Sequence, residues 1–406
     1  MTRIRYGVSP WADAARRAVY PRLTGTLDRP VTILGGGLTG AATAYAFAAA
    51  GIRVVLLDEQ RTGDGATAAN PGCVLAEPAG VYLEHESAHG RRAARAIWQA
   101  TRRAALDLSA AARRLRIRCA LAPLDGVLYS RSSADARQLR RELAARKAAG
   151  LEATWLTPRM LGAYGLDGVA GGIRTRGQAR VDPQRLRAGF LRAAAARGAE
   201  IFEQSSATHV AARAAGLEVV TQRGEVRCET VVLATGDPMP AFRALDRHFT
   251  RLEAYAVQTP PLPAAIRGVA RDRGAVLQDR EHPPHRLYWT AEDAIICSGT
   301  DQARTPARGR EKVLVQRTGQ LMYELTLQLP AISGVQPERG WSAPYAVTAD
   351  GLPFVGPHRN YPRHLFALGL GLNPAASFLA SRILLRQYLG QVEKADEYFG
   401  FARLAR

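Results

Sequence analysis

Cysteine is scarce: the chain has four in 406 residues. Cys73, Cys119, Cys228 and Cys297 are far apart, and no two form a C-x-x-C step. That spacing argues against a disulfide framework and a zinc site, so no metal is expected. Long apolar runs are missing too. The longest, around 41–50, is too short to span a bilayer. No charged start followed by an apolar core and a cleavage site is present, so the cytoplasm is the expected compartment. Lysine occurs only at Lys147, Lys312 and Lys394, so a formal net charge of +19 comes almost wholly from arginine. Such an excess could attract nucleic acid, anionic lipid or an acidic redox partner. The arginines, however, are spread along alanine-rich stretches such as 102–118 and 137–146, a pattern of solvated helix faces. A nucleic-acid partner is therefore open but not favoured.

What is present is an ordinary globular balance, 47% apolar and 22% charged, with a length that suits two domains or two interleaved ones. The chain is organised around residues 31–58, VTILGGGLTGAATAYAFAAAGIRVVLLD. Val31–Leu34 reads as a buried parallel strand, 40–50 as a small-residue helix stopped by Gly51, and 52–57 as a second buried strand. Gly35, Gly37 and Gly40 fit G-x-G-x-x-G. The first allows a tight turn, the second a close approach to a pyrophosphate, and the third close packing of helix on strand. The helix N-terminus, with Leu38 and Thr39, offers free N–H groups to phosphates. Asp58, eighteen residues after Gly40 and followed by Glu59, sits where a carboxylate accepts hydrogen bonds from a ribose. An acid there favours FAD or NAD over NADP.

Helices are expected over 87–118 (one or two), 134–149, 183–197, 310–329 and 374–389, and strands at 119–122, 126–130, 199–203, 231–234, 253–259, 274–278, 286–289, 294–298 and 365–369. A strand and turn are expected around 341–356, and three strands joined by tight turns over the stretch ending at Gly236. Residues 61–77 are small and polar without a hydrophobic period, suited to a loop lying along a flat ring system.

In this order the motifs resemble the FAD-dependent amine and amino-acid oxidoreductases, the family of D-amino-acid oxidase, glycine oxidase and sarcosine oxidase. Four segments carry the resemblance: GGGLTG through LLDE; GDGATAANPG; ARVDP with its helix, THV and VVLATG; and TADGLPFVGPH with FALGLGLNPAAS. It implies an α/β (α+β cap) protein with a discontinuous Rossmann-type FAD-binding domain, 30–84, 152–239 and 339–391. An antiparallel-sheet substrate domain, 85–151 and 240–338, covers the flavin, and 1–29 is an N-terminal arm. Besides the glycine turn and Asp58, the resemblance assigns Gly65, Ala66, Thr67, Asn70, Gly72 and Cys73 to the loop along the cofactor. It gives Val210 to the adenine, and Ala234, Thr235 and Gly236 to the closing strand. Gly371, Leu372, Asn373, Pro374 and Ala375 fall at the helix start facing the flavin pyrimidine. The implied reaction is hydride removal from the CH–NH bond of an amine or N-substituted amino compound, followed by hydrolysis of the imine. The acceptor is dioxygen, a quinone or a protein.

Departures from the pattern bear on chemistry. Many relatives carry an arginine five residues before the aspartate of the DG turn; here that place holds Tyr345, and Arg286 could serve instead. Covalent-flavin members carry a cysteine where this chain has Ala343, so noncovalent FAD is implied. The usual G-G-N-G is altered to Gly371-Leu372-Asn373-Pro374, and proline removes a donor. That alteration leaves open a catalytically impaired flavoprotein with a binding role, and the basic charge leaves open a flavoenzyme acting on a nucleic-acid-borne amine. Sarcosine oxidase-like members activate oxygen with a lysine, which none of the three lysines matches, since Cys297 aligns there. The catalytic candidates are Tyr345, Tyr288 and His285. The stretch 282–285, His-Pro-Pro-His, reads as a base or as a sheet-edge turn, and Tyr288 and Trp289 should face opposite sides of one strand.

Overall fold

A computed structural model describes residues 4–12 and 19–405. The half that carries the glycine turn, where the sequence reading expects a nucleotide, has three layers. The middle layer is a six-stranded sheet in the order Phe354–His358, Tyr361–Leu368, Thr230–Gly236, Val31–Leu34, Val54–Leu57, Glu200–Phe202. All neighbours are parallel except the first pair. Side chains alternate between faces, as a pleated strand requires. Val31, Ile33, Val54 and Leu56 join one apolar cluster with the helices Leu38–Ala49, Pro183–Ala195 and Pro374–Leu389. Leu34, Val55 and Leu57 join another with the four-stranded sheet on the opposite side. Residues Leu38 to Ala48 are buried all round, because alanine and glycine let neighbouring helices approach from both flanks.

A ten-stranded, mostly antiparallel sheet forms the other half. Its central strands are Arg339–Val347, Thr250–Gln258, Ile295–Ala303, Arg286–Trp289 and Ala275–Gln278. One face is covered by the helix Arg310–Gln328, whose Leu314, Leu321 and Leu325 pack on Val257, Leu287, Trp289 and Cys297. The other face looks back toward the nucleotide half.

Three features differ from the sequence reading. The helical stretch near 87–118 is two helices, Tyr82–His89 and Arg91–Arg114, broken at Gly90 by a φ of +81°. The two short strands expected between 119 and 130 are one, Ala122–Ser130. The expected boundaries also cut across the large sheet. Gly171–Arg180 and Arg339–Val347, placed with the cofactor-binding segments, hydrogen-bond instead into the ten-stranded sheet, as does Cys73–Val74. The resemblance grouped these segments with the cofactor-binding domain, whereas their hydrogen bonds join them to the ten-stranded sheet. The first residues pair with both halves: Arg5–Tyr6 with Arg339–Gly340 and Gly25–Asp28 with Gly224–Arg227.

Candidate active site

Two connected cavities lie between the halves. The larger, about 520 Å³, runs along the carboxyl ends of the parallel strands. It is lined by Gly35, Gly37, Leu38, Thr39, Asp58, Glu59, Gly65, Ala66, Thr67, Asn70, Ala234, Thr235, Gly236, Gly371, Leu372 and Asn373. Open α/β sheets bind ligands at this edge. Gly35 has a φ of +104°, and a Cβ there would lie 2.7 Å from the Ala234 carbonyl. Gly40 does not line the cavity. A Cβ on it would sit 1.8 Å from the Gly35 carbonyl, so its role is to let the helix close on the turn. The Leu38 N–H donates to Thr67 Oγ1 (3.0 Å), and the helix has no acidic residue in its first turn. Its N-terminus therefore keeps the positive potential that a phosphate needs. Asp58 accepts from Gly36 N (2.7 Å) and Gln60 N (2.8 Å), which fixes its carboxylate at the cleft wall. A tight turn, a helix N-terminus and an anchored acid in one groove fit an ADP-containing cofactor.

The smaller cavity, about 250 Å³, lies beyond the Leu370–Asn373 turn and shares that turn and Tyr345 with the larger. Two asparagines hold its walls in place. Asn70 Nδ2 donates to the Leu372 carbonyl (2.8 Å), while its Oδ1 accepts from Gly72 N (2.8 Å). Asn373 caps the last helix through Ala375 N (3.0 Å) and exchanges two 3.0 Å bonds with the Leu75 backbone. Pro374 takes the first helical position, where a missing N–H leaves no broken bond. The altered turn is thus a well-formed helix start. Pro374 and Ala375, expected at the cofactor, are buried behind it and line neither cavity.

Three side chains in the smaller cavity bear on chemistry: Arg286, Asp301 and Tyr345. The Tyr345 hydroxyl donates to Asp301. Arg286 Nε donates to Gln278 (2.8 Å). Burial pushes the Asp301 carboxyl above the usual range, opposed by the Tyr345 hydrogen bond and the Arg286 charge. Burial also pushes the Tyr345 phenol up, with the adjacent Asp301 adding to it. Asp301 escaped the sequence reading because a bulge aims it. Glu253 pairs with Gln302 and Tyr255 with Gly299, so Ala254 opposes both Thr300 and Asp301. The extra residue re-aims the strand there. The only sequence signal was Gly299, which sits at φ +151° and leaves room for His285.

Several expected residues lie elsewhere. His285 is buried behind the bulge, its Nδ1 2.7 Å from Asp279 Oδ2, and only Pro283 and Pro284 of its turn reach the cavity. Burial lowers its pKa, but the Asp279 hydrogen bond and charge outweigh that and raise it. Tyr288 faces the nucleotide half, and Trp289 faces the helix side as alternation requires. Tyr288 is nevertheless covered, and its hydroxyl donates to the Pro71 carbonyl (2.7 Å). It holds the loop and does not line the cavity. Gly72, at φ +84°, packs under Tyr288 and Val181, while Cys73 lines the smaller cavity with its thiol pushed up to about 12 by burial. Val210 is packed into the second layer, because the chain crosses the cleft earlier, at Ser205–Ala207. Ser205 N is tied to the Asp58 carbonyl (2.8 Å).

A family model described as DAO, FAD dependent oxidoreductase, matches residues 30–384. The chain belongs to this family. FAD is its cofactor, and it is an oxidoreductase. The probable oxidoreductase OrdL of Haemophilus influenzae is 23% identical over 393 residues, spanning 94% of this chain and 88% of its own length. Glycine oxidase from Geobacillus kaustophilus superposes with a TM-score of 0.74 at 20% identity, over 91% of this chain and 96% of its own. L-amino acid deaminase from Proteus myxofaciens reaches a TM-score of 0.79 at 12% identity, over 97% of each chain. At such identities the solved structures establish the shared fold. Within the described residues, no helix of this family member is long and apolar enough to cross a membrane.

Proposed function

We propose that the protein oxidises the CH–NH bond of a small amino compound that carries a carboxylate. One observation carries this reading: Arg286 and the Asp301–Tyr345 pair share a cavity of about 250 Å³ beside the Gly371–Asn373 turn. The volume suits an amino-acid-sized molecule, just below the ~300–1,000 Å³ of ordinary ligand pockets. FAD, when bound, supplies the two-electron acceptor. The glycine turn and helix N-terminus would hold its pyrophosphate, and Asp58 its ribose.

Arg286 takes the place of the arginine missing from the Tyr345 position. Its Nε is fixed by Gln278, which leaves the outer edge of the guanidinium to grip a carboxylate. Asp301 receives the ammonium and takes its proton, since only a neutral amine gives up its α-hydrogen as hydride. Burial brings this carboxyl closer in proton affinity to an amine, and Tyr345 fixes its orientation. The glycine oxidase and L-amino acid deaminase named above support a substrate of this class.

The acceptor in this proposal is a quinone or a protein. Among the described residues no lysine lines either cavity, and Cys297, which the sequence aligned with the oxygen-activating lysine of some relatives, is buried on the helix side of the sheet instead. An anaerobic screen of amino acids, N-alkyl amino acids and their decarboxylated amines tests the reading through loss of oxidised-flavin absorbance. Bleaching by carboxylate-bearing members alone is expected. Bleaching by simple amines alone contradicts it, and reoxidation in air as fast as turnover contradicts the acceptor.

A further inference from the structure

The smaller cavity does not end at Arg286. Glu77 and Arg286 also line an inner void of about 40 Å³, bounded further in by Arg146, Thr175, Gln178 and Gln278. A chain of hydrogen bonds runs along its wall. Arg146, 1% exposed, lies over Trp98 and donates Nη1 to Glu77 Oε1 (3.1 Å). Thr175 donates its hydroxyl to the same oxygen (2.6 Å) and accepts from Gln178 Nε2 (3.1 Å). A carboxylate has no proton to give, so the direction of every bond is fixed. The Gln178 carbonyl oxygen must then point away from Thr175.

That oxygen is buried without a partner among the described residues, and so is Arg146 Nη2. Both residues line this small void, and an unmatched acceptor and donor there are costly unless a water or a ligand serves them. Arg146 is already matched by Glu77 and by Glu142, 2.6 Å away, so a further anion gains little there. Gln178 needs an N–H or O–H that a carboxylate does not have. A carboxamide has both a donor and an acceptor, and an alkyl group has neither.

We infer that this void is a distal subsite for the terminal carboxamide of a substrate whose carboxylate Arg286 holds. The inference rests on the proposed role of Arg286 as the anchor. Its test reads binding, so it does not depend on turnover. Holoenzyme is titrated with acids that lack an amine, and flavin absorbance reports occupancy. Succinamate and glutaramate are compared with their alkyl isosteres, 4-methylpentanoate and 5-methylhexanoate.

The better-fitting amide is expected to bind about 10²-fold more tightly than its isostere, from one neutral hydrogen bond to Gln178 and one charge-assisted bond from Arg146. In Gln178→Leu that ratio is expected to fall about fivefold, the neutral bond being lost. Gln178→Met repeats the comparison if the leucine variant misfolds. Equal binding of amide and isostere, or a ratio unchanged in both variants, overturns the subsite and leaves the Arg286 reading intact. Failure of all four acids to bind overturns the subsite together with its anchor.

Discussion

The two cavities are made of different material. The larger is built from main chain: glycines, two strand ends and a helix N-terminus, with Asp58 and Thr67 tied to that backbone. The smaller is built from side chains delivered by separate strands: Arg286, Asp301 and Tyr345, with Gln178 deeper in. A backbone site tolerates almost no added atoms, because its walls cannot rotate away. A side-chain site tolerates substitution structurally and loses chemistry instead. On the proposed reading, mutations should separate cofactor binding from substrate choice except at Tyr345 and the Leu370–Asn373 turn, which line both cavities.

The sharpest way to break the comparison is Gly40→Val. The new Cβ would overlap the Gly35 carbonyl at 1.8 Å, so helix and turn must separate. Overpacking of that kind costs about 1–3 kcal/mol or more. The purified variant is expected to be colourless, with a lower melting temperature; a yellow, equally stable protein would refute the backbone account.

Next in size is Asp301→Asn. In the proposed reaction the ionised carboxylate accepts the ammonium proton, and burial raises its pKa. In the parent, kcat/KM should therefore fall as pH drops through a value above the usual carboxylate range. Asp301→Asn should remove that acid limb and slow turnover by roughly 10²–10⁴-fold, the range for general base catalysis. Tyr345→Phe has a smaller effect of definite sign. It deletes a hydrogen bond that lowers the Asp301 pKa, so the acid limb should move to higher pH, with about a fivefold loss in kcat/KM from one bond. FAD content should be unchanged in both. A pH profile identical to the parent in both variants would remove Asp301 from the reaction.

The smallest effect is expected at Tyr288→Phe. Its buried hydroxyl bonds the Pro71 carbonyl, so the variant should lose about 1 kcal/mol of stability while keeping the parent pH profile. A shifted profile would return Tyr288 to the list of substrate-facing groups.

The same contrast explains how much was legible in the sequence. Glycine spacing, an alanine-rich helix and a terminal acid are local in sequence, so 31–58 could be read directly, whereas 65–70, 234–236 and 371–373 came through the resemblance. Val210 was misplaced by a few residues because the crossing at Ser205–Ala207 carries no periodic signal. The smaller cavity depends on strand register. Tyr345 and Arg286 were found through resemblance, whereas Asp301 is aimed by a bulge that alternation would not show. His285 and Tyr288 stand one layer behind the cavity, one paired to Asp279 and the other to Pro71. No spacing rule separates a side chain at a cavity wall from one just behind it.

Arg286, on the proposed reading, selects a carboxylate-bearing amine. The direct measurement is the ratio of kcat/KM for the best N-alkyl amino acid over its decarboxylated amine, in the parent and in Arg286→Leu. Loss of one or two charge-assisted hydrogen bonds is expected to cut that ratio by about 10- to 10³-fold, with the decarboxylated amine little affected and the flavin retained. An unchanged ratio in a yellow, folded Arg286→Leu protein would contradict the claim.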